Sequence, residues 1–154
     1  MNQDHIKYMR MALEEAYQGR YQGYPPVGSI IVKEGRIVSL GRNTAEADLD
    51  VTAHAEVAAL RRAGPELGGL DLSGCTLYST GEPCIMCVGA IVSARVSRVV
   101  LGGHYDRYHG GYGDYSLEKA LALVGREDVQ VVRGVLREKC EAMRWAYWAG
   151  LAQG

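Results

Sequence analysis

The sequence has no phenylalanine, only four prolines and four cysteines, no long apolar run and almost no net charge. No stretch approaches the ~18 apolar residues of a membrane span, which excludes a spanning helix. The opening residues, Met1-Asn2-Gln3-Asp4-His5, carry no basic segment ahead of an apolar one, so the expected location is the cytoplasm. With 17 Lys+Arg against 18 Asp+Glu the formal charge is -1 and the pI about 6.4. No global field draws in a polyanion, which argues against a nucleic-acid partner without excluding one. Four cysteines in a reducing compartment read as metal or redox chemistry rather than disulfides, and Cys84 and Cys87 stand three apart. Nothing in the pattern explains why ten tyrosines occur with no phenylalanine.

What is present is ordinary globular composition, 47% hydrophobic and 23% charged over 154 residues. That length suits one domain over residues 1–154, large enough for a core without staples. Ile6, Met9, Leu13, Ala16 and Tyr17 recur at helical spacing, predicting a helix over 3–18. Residues 27–32 and 37–40 are β-type runs joined through Gly35 as a hairpin. A polar loop, 43–52, leads into a helix over 54–63 that Gly64-Pro65 should end. Alternation follows: strand 75–80, helix 84–95, strand 96–101, a Gly/Tyr-rich loop 102–115, helix 117–124, strand 129–132 and helix 136–149. Strands alternating with helices imply right-handed crossovers, so the expected fold is α/β, a three-layer αβα sandwich on a five-stranded mixed sheet.

Two clusters carry chemistry: His54-Ala55-Glu56 at one helix start, and Pro83-Cys84-Ile85-Met86-Cys87 at another. Residues three apart on a helix face one way, so both cysteines can reach one ion. Exposed N–H groups and the positive end of the helix dipole favour the thiolate a metal binds. Both helices follow strands, which brings their N-termini to the same edge of the sheet and lets His54, Cys84 and Cys87 converge on one Zn²⁺. Three protein ligands leave one tetrahedral position open for water, as catalytic zinc sites do. Glu56, two residues from His54, remains unligated and can move the water's proton. The competing view is a closed structural zinc in a non-catalytic binding domain, with Cys75 as fourth ligand. Strand alternation instead gives Cys75 the face of Leu77, a core position, and Cys140 belongs to the core of an amphipathic helix.

His-x-Glu followed by Pro-Cys-x-x-Cys is the signature of zinc nucleobase deaminases. With Pro26-Val27-Gly28, Gly41-Arg42-Asn43, Thr52-Ala53-His54-Ala55-Glu56 and the run Glu82 to Ile91, the sequence resembles the cytidine/deoxycytidylate deaminase superfamily over nearly its whole length. It is most similar to the branch of tRNA adenosine deaminases, guanine deaminases and fungal-type cytosine deaminases. The resemblance implies one zinc per chain, commonly a homodimer, His54, Cys84 and Cys87 as ligands and Glu56 as proton shuttle. It also implies Asn43 in the base pocket and the Ala55 backbone N–H on the base. Ser29 departs from the alanine many relatives carry.

Further candidates for binding substrate are Asp106 and Asp114 in the Gly/Tyr-rich loop, which could accept from a base N–H. Trp148 joins them, since the chain's end often covers the site in relatives taking free bases; packing in the core or at a dimer interface is the competing reading. The near-neutral charge and the mixed-sign, apolar C-terminal helix do not suit a phosphate-tracking arm. The expectation is therefore hydrolytic deamination of a free heteroaromatic base by water, with ammonia released. Cytosine or a triazine analogue comes first and guanine close behind. A tRNA-specific adenosine deaminase is the alternative.

Overall fold

The computed structural model describes residues 2–104 and 113–152. In chain order it holds α1 (Gln3–Tyr21), β1 (Gly28–Lys33), β2 (Arg36–Arg42), α2 (Ala45–Asp48), α3 (Ala55–Leu67) and β3 (Cys75–Ser79). There follow α4 (Ile85–Ser93), β4 (Arg98–Leu101), α5 (Leu117–Leu123), β5 (Gln130–Val132) and α6 (Arg137–Ala152). The strands form one sheet in the order β2-β1-β3-β4-β5. β1 is antiparallel to both neighbours and the β3, β4 and β5 pairings are parallel, so β2, β3, β4 and β5 all run the same way. This is the mixed α/β sheet the sequence predicts.

Alternation along the strands sorts two cores. Ile31, Leu77, Val99 and Leu101 face α3, α4 and α5, meeting Ala59, Val88, Ile91 and Leu121. Ile30, Val32, Tyr78 and Val100 face the opposite way onto Met9 and Ala12 of α1 and Cys140 of α6. Cys75 is fully buried in the first core beside Leu77, as the strand period requires. Cys140 is buried in the second, where desolvation pushes its thiol up to about 12. Both are packing residues. Among the described residues no helix is long and apolar enough to cross a membrane.

Three local expectations are corrected. α1 runs on through Gly19 to Tyr21, a glycine inside a helix weakening it without ending it. α3 passes Gly64-Pro65 and ends at Leu67. Pro65 forfeits one N–H near the helix end, and the stop is the left-handed Gly68, whose N–H donates back to the Pro65 and Gly64 carbonyls. Within the segment predicted as loop, residues 45–48 turn into α2, started by the Asn43 Oδ1, which accepts from Ala45 N–H at 3.0 Å.

Candidate metal centre and active site

Because β2 and β3 run the same way, the helices that follow them begin at one edge of the sheet. His54 is the residue that opens α3 and Cys84 the one that opens α4, both in extended backbone geometry. Their side chains meet there. His54 Nδ1 lies 3.5 Å from Cys84 Sγ and 3.6 Å from Cys87 Sγ, and the two sulfurs are 3.6 Å apart. Tetrahedral zinc with Zn–S of about 2.3 Å and Zn–N of about 2.0 Å demands S···S near 3.8 Å and S···N near 3.5 Å. The donor set fits zinc in identity and in spacing.

Protonation follows the same geometry. Hydrogen bonding from Cys87, then from His54, brings the Cys84 thiol down to about 4. Cys87, sharing that contact and buried, is pushed up, while the Cys84 contact raises His54. The geometry thus favours the thiolate at Cys84, the form a metal binds. Cys75 cannot complete it, since it stands at the start of β3 and the cluster lies beyond the strand's other end. Among the described residues the metal-ligating group is these three.

Glu56 is 4% exposed in the first turn of α3. Its Oε1 accepts from Ser79 Oγ at 2.8 Å and its Oε2 lies 3.5 Å from Cys87 Sγ. Burial raises its pKa above the ordinary carboxylate range, with the Ser79 bond opposing. A cleft of about 280 Å³ opens onto Glu56, His54 and Cys84. Asn43, Ala55 and Trp148 line it, and Glu46 and Arg144 line it as well. Trp145, three residues from Trp148, is 57% exposed and takes no part in the cleft. The residue that shares the cleft with Trp148 is Arg144, one helical turn away.

Asp114 is not among the residues that line this cleft. Its side chain is 93% exposed, pairs with Lys119 Nζ at 2.5 Å and edges a separate depression with Ile85, Tyr115 and Leu123. Asp106 lies outside the described residues.

The structure adds a brace that residue patterns did not disclose. Glu82, 7% exposed, accepts from Arg133 Nη1 at 3.0 Å and Nη2 at 2.7 Å, and from the Leu117 N–H at the start of α5 at 2.8 Å. Tyr115 Oη donates to the Pro83 carbonyl. The segment that delivers Cys84 is therefore tied to β5 and α5. Glu82 stands beside Pro83 in the cysteine motif, a signal that was present, whereas Arg133 had none. Arg133 also bonds Glu118, through Nε at 2.6 Å, and holds that carboxyl below its usual range. The unfolded chain then takes up the Glu118 proton first as acid is added. The pair's contribution to stability is full at neutral pH and fades as pH falls through the carboxylate range. Glu118→Gln should lower the thermal midpoint at neutral pH by a few degrees, and the gap to the unaltered protein should narrow as pH falls through the carboxylate range.

Residues 2–103 match the model of the cytidine and deoxycytidylate deaminase zinc-binding region. The chain belongs to this zinc-dependent deaminase family. Over 151 residues the deaminase is 36% identical to a tRNA-specific adenosine deaminase of Bacillus subtilis (strain 168), covering 98% of this chain and 92% of that one. Among solved structures, one from a study of A-to-I editing by tRNA:A34 deaminases at the wobble position superposes with a TM-score of 0.79. It is 31% identical and covers 89% of this chain and 98% of that one. A guanine deaminase from Nitrosomonas europaea superposes at 0.84, with 25% identity and coverage of 94% and 84%. The family fixes the chemistry as zinc-dependent hydrolytic deamination. The expectation of a free nucleobase, cytosine or guanine, is corrected by the relatives named for tRNA. Net charge sums over the whole surface, whereas binding at a cleft depends on the few groups around it, so the charge balance was a poor guide to substrate.

Proposed function

We propose that this chain is a tRNA-specific adenosine deaminase, converting an adenosine within RNA to inosine with release of ammonia. The observation that carries the reading is the near full-length similarity to the Bacillus subtilis enzyme. The site chemistry is compatible with it. His54, Cys84 and Cys87 would hold zinc, which when bound supplies a Lewis acid that makes water nucleophilic near neutral pH. Glu56 takes a proton from that water and places it on adenine N1 as the C6–O bond forms. The emptied carboxylate then takes the second proton from the hydroxyl now bonded to C6 and delivers it to the amine as the C6–N bond breaks and ammonia leaves, so that C6–O closes to the carbonyl of inosine. Its raised pKa suits a group that must both accept and donate. Asn43 spends its Oδ1 on the turn into α2, leaving the Nδ2 amino group to donate to an acceptor on the base. The Ala55 backbone N–H is the second such donor, and Trp148 offers an aromatic face for stacking. We take residues 1–154 as one domain and a homodimer as the working assembly.

The test is ammonia release by zinc-loaded protein from an adenosine-containing anticodon stem-loop, set beside cytosine, 5-azacytosine, guanine, adenine and their nucleosides. Turnover of the stem-loop is expected, with the free bases at background. Turnover of one free base and none of the RNA would sink the reading.

A further inference from the structure

Ser29, Ser39 and Ser79 face α3 from three adjacent strands, and all of them are buried. Ser39 Oγ donates to the Ala59 carbonyl at 2.7 Å and Ser79 Oγ to Glu56 Oε1 at 2.8 Å. Ser29 Oγ makes no hydrogen bond, and among the described residues it is the one buried side-chain oxygen or nitrogen of which that is true. Leaving a buried hydroxyl unpaired is costly. Register decides what this one can reach. Ser29 stands directly across from Ser79 on β3 and from Gly41 on β2, and Gly41 offers no side chain. Directly opposed residues hold their Cβ atoms about 4.5–5.5 Å apart with both side chains on one face, a gap that two hydroxyl oxygens close by turning about χ1.

We propose that Ser29 is a positioning residue for the deamination: turned toward β3, its hydroxyl donates to Ser79 Oγ and so keeps the Ser79 hydrogen on Glu56. The role rests on the reading of Glu56 as the proton carrier. Ser79 has a single hydrogen, already given to Glu56, and lone pairs left to accept another. A hydroxyl that accepts while it donates is polarised and becomes the stronger donor. The chain from Ser29 through Ser79 to Glu56 holds Ser79 in the rotamer that meets Oε1, which leaves Oε2 on the side of Cys87. Without Ser29 the Ser79 hydroxyl can turn, and the carboxylate loses the fixed orientation that proton transfer requires. Ser29 does not line the cleft, so it acts on the reaction only through Ser79.

The experiment is a double-mutant cycle over Ser29→Ala, Ser79→Ala and the pair. It is read by thermal unfolding and by steady-state inosine formation on the anticodon stem-loop, with zinc content measured on each protein. Ser29→Ala removes one oxygen and adds nothing, so the fold accommodates it. It should lower kcat about fivefold, the worth of one neutral hydrogen bond, with KM within about twofold and zinc unchanged. The midpoint should fall by a few degrees, since a bond is lost rather than an orphan removed. In the Ser79→Ala background the same substitution should leave kcat where it was and no longer lower the midpoint. An unaltered kcat in Ser29→Ala overturns the proposal whatever the midpoint does, and so does an equal loss with and without Ser79. If the stem-loop is not turned over while one of the small heterocycles is, the tRNA reading fails and the cycle decides on that heterocycle. Turnover of none overturns the proton-carrier reading and the role of Ser29 with it.

Discussion

Glu56→Gln should cut deaminase turnover by about two to four orders of magnitude, the usual worth of a positioned acid–base group, while the zinc content stays at that of the unaltered protein. The substitution is close to isosteric. The glutamine carbonyl can still accept from Ser79 Oγ, the bond now made by Oε1 at 2.8 Å, so the buried first turn of α3 keeps its partner. The capacity to carry a proton is what disappears. Glu56 is not one of the three groups that converge as ligands, so zinc measured by metal analysis should be unaffected. KM for the RNA should change little, because the loss falls on a step made in the transition state. Normal turnover in Glu56→Gln would remove the proton-shuttle assignment outright. Loss of zinc along with activity would instead make Glu56 part of the metal's holding structure. Either result would leave the fold and the family untouched, which is why this substitution isolates the mechanism.

Much of the architecture was legible because period and punctuation agreed. Ile30, Ile31 and Val32 alternate between the two cores, and Leu77 with Tyr78 does the same, so each strand's faces could be read from residue order. The metal cluster was legible for a related reason: Cys84 and Cys87 share a helical turn, and His54 sits at the equivalent point of the preceding helix. What was not legible depended on distance in sequence. Arg133 reaches Glu82 across 51 residues, and no local pattern marks it. Arg144 looked like one more charge on an amphipathic helix, and only the sheet edge above Gly81 and Gly103 shows why it is buried. Pro65 was misread because a proline near a helix end costs a single hydrogen bond, and the left-handed glycine that ends α3 comes three residues later.

The substrate was misjudged for a different reason. Counting 17 basic against 18 acidic residues treats the surface as a uniform sphere. Within the cleft the balance is set by a handful of groups, which a sum over the chain does not describe.

Gly41→Ala should produce a large structural effect, and it would reach the active site through the fold. Gly41 lies in β2 opposite Ser29 of β1, on the side where α3 crosses the sheet. A Cβ there would collide with the Ala55 carbonyl oxygen and stand 2.6 Å from Ala59 N. Both obstacles are α3 backbone, so no rotamer change can clear them and helix and strand must separate. Overpacking of this kind costs roughly 1–3 kcal/mol and more when the neighbour is rigid, so a loss of about 3 kcal/mol is expected. In a chain of this size that lowers the thermal midpoint by about 10 °C. The displaced helix carries Glu56 and begins at His54, whose nitrogen must stay about 3.5 Å from both cysteine sulfurs to share one ion with them. Zinc affinity should therefore fall together with stability, measured by competition with a chelator. Gly69→Ala, where an added Cβ meets nothing within 4 Å, is the matched control and should leave both quantities unchanged. A Gly41→Ala protein with unaltered midpoint and zinc affinity would mean that contact between β2 and α3 does not set the geometry of the metal centre.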